Sequence, residues 1–413
     1  MLTPDEGYLD RRIAQEAVSL ARTGWTVDIE PIADPALAFD GDLPPEVRLH
    51  SKPGPAPVRS RTRRVLRTAR RIVRQVAPRI DRQVEALRYR SGDRAGALAD
   101  THIGRLSSDP FDLIVAHDAP VFPLAVRLAE RWGSPLICDL HEIFAEQDEH
   151  FTTETARAYW RGVERIGLVA ADGILCVNEA VADYAQSTHR PTADCVVVLN
   201  SVPFVDPASL TGRSIRDLYP IPPGHRIMLF AGSLRPHANL ETLIAGFGRA
   251  ELDDWALAVL GDGLLREALQ GQVDRLALAD RVFLGRRVPQ RDLIAVAASA
   301  DIGVLPYRPV GLNHEIATPN KLFEYIQARL PIATSRLPMI ERIVEANRNG
   351  AFVDYTSGAT TADGLRRFVE GPFARIGSVE LEAAAREVSW EADEGRFLGL
   401  VDRVVPTSAR RPR

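Results

Sequence analysis

Twice along this chain, short runs of β-branched and apolar residues alternate with longer stretches of helical periodicity. That rhythm constrains the fold more than any other feature. Successive parallel strands need a long crossover to return to the same end of the sheet, and an amphipathic helix is the usual one. In the first half the expected strands are 26–29, 113–116, 136–138, 173–177 and 195–199, with helices over 10–22, 121–131 and 156–170. The second series has expected strands 226–231, 256–260, 281–284, 302–305, 332–334 and 351–353, with helices over 240–249, 264–276, 290–298 and 320–328. Each series predicts a doubly wound α/β domain. The carboxyl ends of both sheets are then expected to border one cleft, where ligands bind in such folds.

Length agrees with two cores, since one hydrophobic core stops growing at about 250–300 residues and the chain has 413. Between the two series, Pro203, Pro207, Pro220, Pro222 and Pro223 mark a linker. The predicted organisation is an N-terminal domain over 1–202, a linker over 203–223, a C-terminal domain over 224–388, and a closing helix and tail over 389–413. One element is out of pattern. A doubly wound domain opens with an apolar strand, yet 2–10 leads directly into a loop, so the expectation is a sheet one strand short or a start lying upstream.

Charge and cysteine content exclude several classes. With 45% hydrophobic and 26% charged residues the chain is globular. Cys138, Cys176 and Cys195 sit in apolar runs, too few and too scattered for a disulfide framework or a zinc site, which points to a reducing cytoplasm. No apolar stretch has the length of a membrane span and the polar start has no signal core, so the expectation is a chain neither secreted nor membrane-spanning. The net charge of -4 conceals a cluster of ten arginines from Arg59 to Arg82. With Val65, Leu66, Ala69, Ile72, Val73 and Val76 at helical spacing, it reads as a cationic amphipathic helix. Such a helix suits the surface of an anionic membrane, and equally a solvated face that pairs with acids elsewhere. Interleaved aromatics are missing, which argues against nucleic acid.

The densest chemical signal is Ala317-Thr318-Pro319-Asn320-Lys321-Leu322-Phe323-Glu324-Tyr325. Proline favours the first turn of a helix, so a helix is expected to start near Pro319 or Asn320 with its free amides and positive dipole end toward the cleft. Lys321 adds a full positive charge. Glu324, a turn later, is placed to accept hydrogen bonds from vicinal hydroxyls. An ordinary capped helix with a surface lysine and glutamate would show the same letters.

Together with Leu330-Pro331-Ile332-Ala333-Thr334-Ser335, this run resembles the donor-site helix and next strand of the family 4 retaining glycosyltransferases, group 1 enzymes of two-Rossmann-domain, GT-B fold. Ala231-Gly232-Ser233-Leu234, Leu260-Gly261-Asp262-Gly263 and Arg281-Val282-Phe283-Leu284-Gly285 resemble it too, as do Asp10-Arg11-Arg12-Ile13 through Gly24-Trp25-Thr26-Val27, His117-Asp118, Asp139-Leu140-His141-Glu142 and Ser389-Trp390-Glu391. The likeness covers nearly the whole chain. It implies transfer of a hexose-type sugar from a nucleotide sugar with retention and without a metal. Glu324 would hold the ribose, and Lys321 with the backbone of Pro319, Asn320, Lys321 and Leu322 the diphosphate. Gly285, Arg286 and Val288 would flank the base, and Gly232, Ser233 and Arg235 would complete the donor side. His141 would lie near the sugar, with His117, Asp118 and Glu142 on the acceptor side of the N-terminal domain. The acceptor would be a glycolipid, an envelope glycan or a natural product.

Three positions depart from the pattern. A second glutamate is expected eight residues before Glu324, where Ile316 stands with Glu315 beside it. Either Glu315 serves through a shifted loop or the contact differs. The family's two basic phosphate contacts are Ser233 and Ala238 here, with Arg235 and His237 in the same loop. These departures keep open a degenerate member that binds a nucleotide or a partner without turnover, and the shared architecture and donor keep open a nucleotide-sugar 2-epimerase, which would need no acceptor. No Asp-x-Asp pair is placed for a metal, so no cofactor is expected.

Overall fold

A computed structural model describes residues 1–4, 9–32, 39, 41–50, 110–147, 153–210 and 212–405. The arginine-rich stretch Arg59 to Arg82 and the final residues of the tail lie outside the described residues. By internal contacts the chain divides into two units. The first holds Met1–Leu199, Gly311–Asn313 and the chain from Glu394 onward, and the second holds Asn200–Val310 and His314–Asp393.

In the first unit the strands are β1 (Leu2–Thr3), β2 (Val27–Pro31), β3 (Val47–Leu49), β4 (Ile114–His117), β5 (Leu136–Leu140), β6 (Gly173–Cys176) and β7 (Cys195–Val197). Their order is β3-β2-β1-β4-β5-β6-β7 and every pairing is parallel. The expectation of a missing first strand is corrected. Leu2 and Thr3, both buried, form a two-residue central strand, with Leu2 opposite Glu30 on one side and Ala116 on the other. Helix Arg11–Arg22 follows, capped by the Asp10 side chain, which accepts from the Arg12 amide at 2.8 Å. Its Ile13, Ala14, Ala17 and Leu20 face the sheet.

The second unit contains β8 (Arg226–Ala231), β9 (Trp255–Leu260), β10 (Val282–Gly285), β11 (Ile302–Leu305), β12 (Ile332–Thr334) and β13 (Gly350–Phe352), in the order β10-β9-β8-β11-β12-β13. All five pairings are parallel. β9 is buried along its whole length because helices cover both faces of such a sheet. Each fully buried Leu, Ile, Val or Phe there contributes ~1.5–3 kcal/mol relative to exposure.

The passage expected to link the domains is folded onto the second unit. Ser214 and Asp217 form a capping box for the short helix Ile215–Leu218, the Ile215 amide reaches Ser299 Oγ at 2.9 Å, and the Val205 amide reaches Gln327 Oε1 at 3.0 Å. Helix Trp390–Val404 gives its first residues to the second unit, where the Trp390 amide bonds Val202 O at 2.9 Å. From Glu394 on it packs within the first, where Ser19 Oγ donates to Glu394 Oε1 at 2.5 Å. Among the described residues no helix is long and apolar enough to cross a membrane.

Strand order reverses between β1 and β4 in one sheet and between β8 and β11 in the other. At such a switch point the loops leaving neighbouring strands diverge to opposite faces and open a crevice at the carboxyl end. The residues after β4, β8 and β11 are therefore where chemistry belongs.

Candidate active site

In the second unit, helix Asn320–Gln327 is held against β8 by Tyr325, fully buried, whose hydroxyl donates to Leu229 O at 3.1 Å and accepts from the Ala231 amide at 2.8 Å. Its ring lies where a Cβ on Gly303 would stand, so only glycine serves in β11 at that point. Beside it the loops after β8 and β9 meet so closely that a Cβ on Gly261 would run into the Gly232 carbonyl. The helix start is thereby set at the switch point. Pro319 has no N–H and Leu322 donates its amide back to Pro319 O at 2.9 Å. Of the four residues expected to offer backbone donors, Asn320 and Lys321 keep amides that point out of the helix end.

Lys321 lies beside Gly232, its Cε 3.8 Å from where a glycine-replacing Cβ would sit, and its Nζ is 3.0 Å from Glu324 Oε2. Glu324 is 1% exposed. A carboxylate that deep is tolerable only with charged and hydrogen-bonding partners, and Gln290 Nε2 donates to its other oxygen at 2.8 Å. Burial, with the Glu324 charge adding to it, raises the Tyr307 phenol above its ordinary range. Gln290 and Tyr307 were not legible in the sequence as site residues.

The remaining donor-side candidates differ in setting. Asn320 is tied through its Oδ1 to Asn200 Nδ2 at 2.7 Å. Gly232, Pro319 and Val288 are half-buried, Gly285 and Leu322 are buried, and Ser233 and Arg235 are exposed. Arg286 is 84% exposed and 3.6 Å from Asp262. Glu315 is exposed at the end of the short helix Leu312–Glu315, while Ile316 and Ala238 point into the core. Ala238 therefore offers nothing to a ligand. His237 stacks on His314 with ring centroids 4.6 Å apart and on Tyr307 at 6.0 Å. Burial, then the charges of His314 and Arg235, lower His237 to about 4.

The first unit collects ionisable groups around one buried carboxylate. Asp139 in β5 is fully buried and receives Arg12 Nε at 2.8 Å on Oδ2 and Arg12 Nη2 at 2.9 Å on Oδ1. His117 Nδ1 lies 3.1 Å and His141 Nε2 2.7 Å from the same Oδ2. Burial works to raise the Asp139 carboxyl, but Arg12 and then His141 outweigh it and hold it well below the carboxylate range. Burial likewise opposes charge on His141, yet Asp118 and Asp139 raise it to about 10. His117, expected on the acceptor side, lies in the interior of the unit: it is 0% exposed and burial lowers it to about 4.

Asp118 sits just after β4 at φ 67° and ψ 156°, a region left almost entirely to glycine. Its Oδ1 accepts the His141 amide at 2.9 Å and the Glu142 amide at 3.3 Å. Burial raises its carboxyl to about 7. Glu142 itself is exposed and accepts from Gln147 at 2.8 Å. His117, Asp139 and His141 bring three ligand atoms within 4.8 Å of one another, a set able to hold a metal ion. Arg12 Nε, 2.8 Å from the shared oxygen, already supplies a fixed positive charge there and would repel a dication.

Residues 213–388 match the family described as glycosyl transferases group 1, and residues 9–201 match the glycosyl transferase 4-like domain. No curated protein matches the chain. Among solved structures, it is similar to sucrose-phosphate synthase from Thermosynechococcus elongatus, with 18% identity, 97% of this chain and 95% of that one covered, and a TM-score of 0.68. It is also similar to HepE of Anabaena in complex with UDP, at 16% identity, 75% and 82% coverage and a TM-score of 0.58. A UDP-forming alpha,alpha-trehalose-phosphate synthase from Burkholderia xenovorans gives 15% identity, 76% and 78% coverage and a TM-score of 0.58. These likenesses show a shared GT-B type fold of two Rossmann-like domains. With one family matched across each of its two sheets, the chain belongs to the group 1, family 4-type glycosyltransferases and is a transferase of glycosyl groups.

Proposed function

We propose that the chain moves a hexose from a nucleoside diphosphate sugar, with retention and without a metal, the donor being held by the second unit and the acceptor by the first. The observation that carries this is the Lys321–Glu324 pair, 3.0 Å apart at a helix start lodged on the β8/β11 switch point. As the sugar departs, negative charge grows on the diphosphate. Lys321 Nζ and the amides of Asn320 and Lys321 supply fixed positive ends there, the service a divalent ion gives in other enzymes. Glu324, held by Gln290, accepts from the ribose hydroxyls. The donor phosphate takes the acceptor proton in a same-face attack, and His141 hydrogen-bonds the sugar. HepE binds UDP and UDP-glucose in the related structures, which supports a uridine nucleotide as the first donor to try.

A donor screen by nucleotide release, run with chelator, tests the reading. Turnover with at least one nucleotide sugar, undiminished by chelator and dependent on an acceptor, is expected. Release only with added metal would remove metal independence, and epimerisation of donor alone would replace transfer by the related isomerase chemistry. The arginine-rich sequence from Arg59 to Arg82 favours a glycolipid or envelope glycan at an anionic surface over a free natural product, in a cytoplasmic protein peripheral to the membrane. Flotation with vesicles containing anionic lipid is expected to carry the full chain upward; indifference to lipid charge would withdraw the membrane acceptor.

A further inference from the structure

The cluster around Asp139 is larger than donor chemistry requires. Burying Arg12, Glu16, His117 and Asp139 together is no route to stability, because apolar residues of similar volume serve a core as well or better. Each member nevertheless has a defined place. Arg12 is locked from behind by the carbonyls of Val198 at 2.7 Å and Leu199 at 3.2 Å, and Glu16 Oε1 lies 3.1 Å from its Nε. Burial and the nearby Asp139 charge raise the Glu16 carboxyl well above its ordinary range, so the guanidinium is left to Asp139.

Exposure rises across the cluster in one direction. Side chains of Asp139, Glu16 and His117 are 0% exposed and Arg12 1%, whereas His141 is 9% and Asp118 14%. The imidazole of His141 is thus the inner cluster's contact with the crevice. Its Nε2 is spent on Asp139, its backbone amide is spent on Asp118 Oδ1, and its Nδ1 lies 3.6 Å from Asp118 Oδ2. A ring fixed at one nitrogen and at its own backbone cannot flip without breaking a charge-assisted bond.

We infer that Arg12 and Asp139 are positioning residues for His141: they fix the ring so that its Nδ1–H and the Asp118 carboxylate together form a donor–acceptor pair for one sugar hydroxyl. A hydroxyl is the group that can accept from Nδ1–H and donate to Asp118 at once. The placement of that hydroxyl rests on the proposed function; the ring assignment does not. The strained backbone of Asp118, at the β1/β4 switch point, is the local sign that this pair is held for use.

Nitrogen-15 spectra of histidine-labelled full-length protein test the ring directly, without substrate. Both nitrogens of His141 are expected to stay protonated at about pH 8, unlike an ordinary imidazole. A ring that titrates in the ordinary range, or one whose Nε2 carries no proton, overturns the inference. Asp139→Asn is expected to lower kcat about 10–100-fold with little change in donor KM, and to move the alkaline limb of the profile to lower pH as His141 loses its counter-charge. A folded Asp139→Asn protein with the wild-type profile and His141 spectrum would equally overturn it. Should that variant not fold, the wild-type spectrum still decides.

Discussion

The two units wind their sheets alike and furnish their switch points in opposite ways. After β8 and β11 the working groups are a helix end, one ammonium and one buried carboxylate; Arg235 and Arg286 nearby are exposed, and Arg266 is spent on the Gly261 and Gly285 carbonyls. After β4 and β5 they are ionisable side chains packed around Asp139, with opposed charges in direct contact. A highly charged ligand is met by dipoles that need no counter-ion of their own when the site is empty. An uncharged hydroxyl offers no such pull, so its pair must be oriented beforehand by neighbours, and that demands buried charge. Under the proposed function, that difference gives the leaving group to the second unit and the sugar or acceptor to the first.

The largest effect expected follows from that contrast. Lys321→Ala removes the ammonium at the helix end, and kcat should fall about 10²–10³-fold with the fold intact, measured by single-turnover nucleotide release and circular dichroism. Unchanged turnover would erase the distinction between the two crevices. Glu324→Gln keeps shape but loses charge, and a donor affinity about 10–100-fold weaker is expected, the worth of a charged hydrogen bond, read from the donor KM.

Asp118 should behave differently from either. Its carboxyl is raised to about 7, so it is an acceptor above that pH and increasingly protonated below it. Transfer should therefore fall as pH drops through about 7, and Asp118→Asn should flatten that limb at the cost of rate. The same limb in the variant would assign it to another group. The smallest effect expected is on stability. Asp118→Gly relieves a backbone strain of about 1–3 kcal/mol, partly offset by the entropy of glycine, so thermal unfolding should shift slightly upward while transfer declines. A lower midpoint would show that the Asp118 carboxylate contacts outweigh the strain.

Much of this was legible in the chain before its coordinates. Arg226–Ala231 and Ile302–Leu305 coincide with the expected strands because short, continuous apolar runs between polar and turn residues admit little else. β1 was missed since two residues have no periodicity; Leu2–Thr3 is a strand only because β2 and β4 pair with it. Helices Pro338–Asn347 and Gly358–Glu370 carry only local marks, a proline in the first turn and a Ser357 capping box, which the strand–helix alternation does not reveal. At the site, Lys321 and Glu324 were readable because a helix start carries local marks. Gln290 and Asp139 were not, as their roles come from contacts 34 and 127 residues distant in sequence. The strand expected to end at Ala116 runs one residue further, so His117 belongs to β4 and is buried.

The proposed function requires the helix at Asn320 to serve as an anion site without a metal. Calorimetric titration of the wild type and Lys321→Ala with a panel of nucleoside diphosphates, in chelator, tests this most directly. The expected result is binding of one member by the wild type and a loss of about 10-fold or more in the variant, the worth of one charged contact. Equal affinity for every diphosphate, or binding only after a divalent ion is restored, would contradict it.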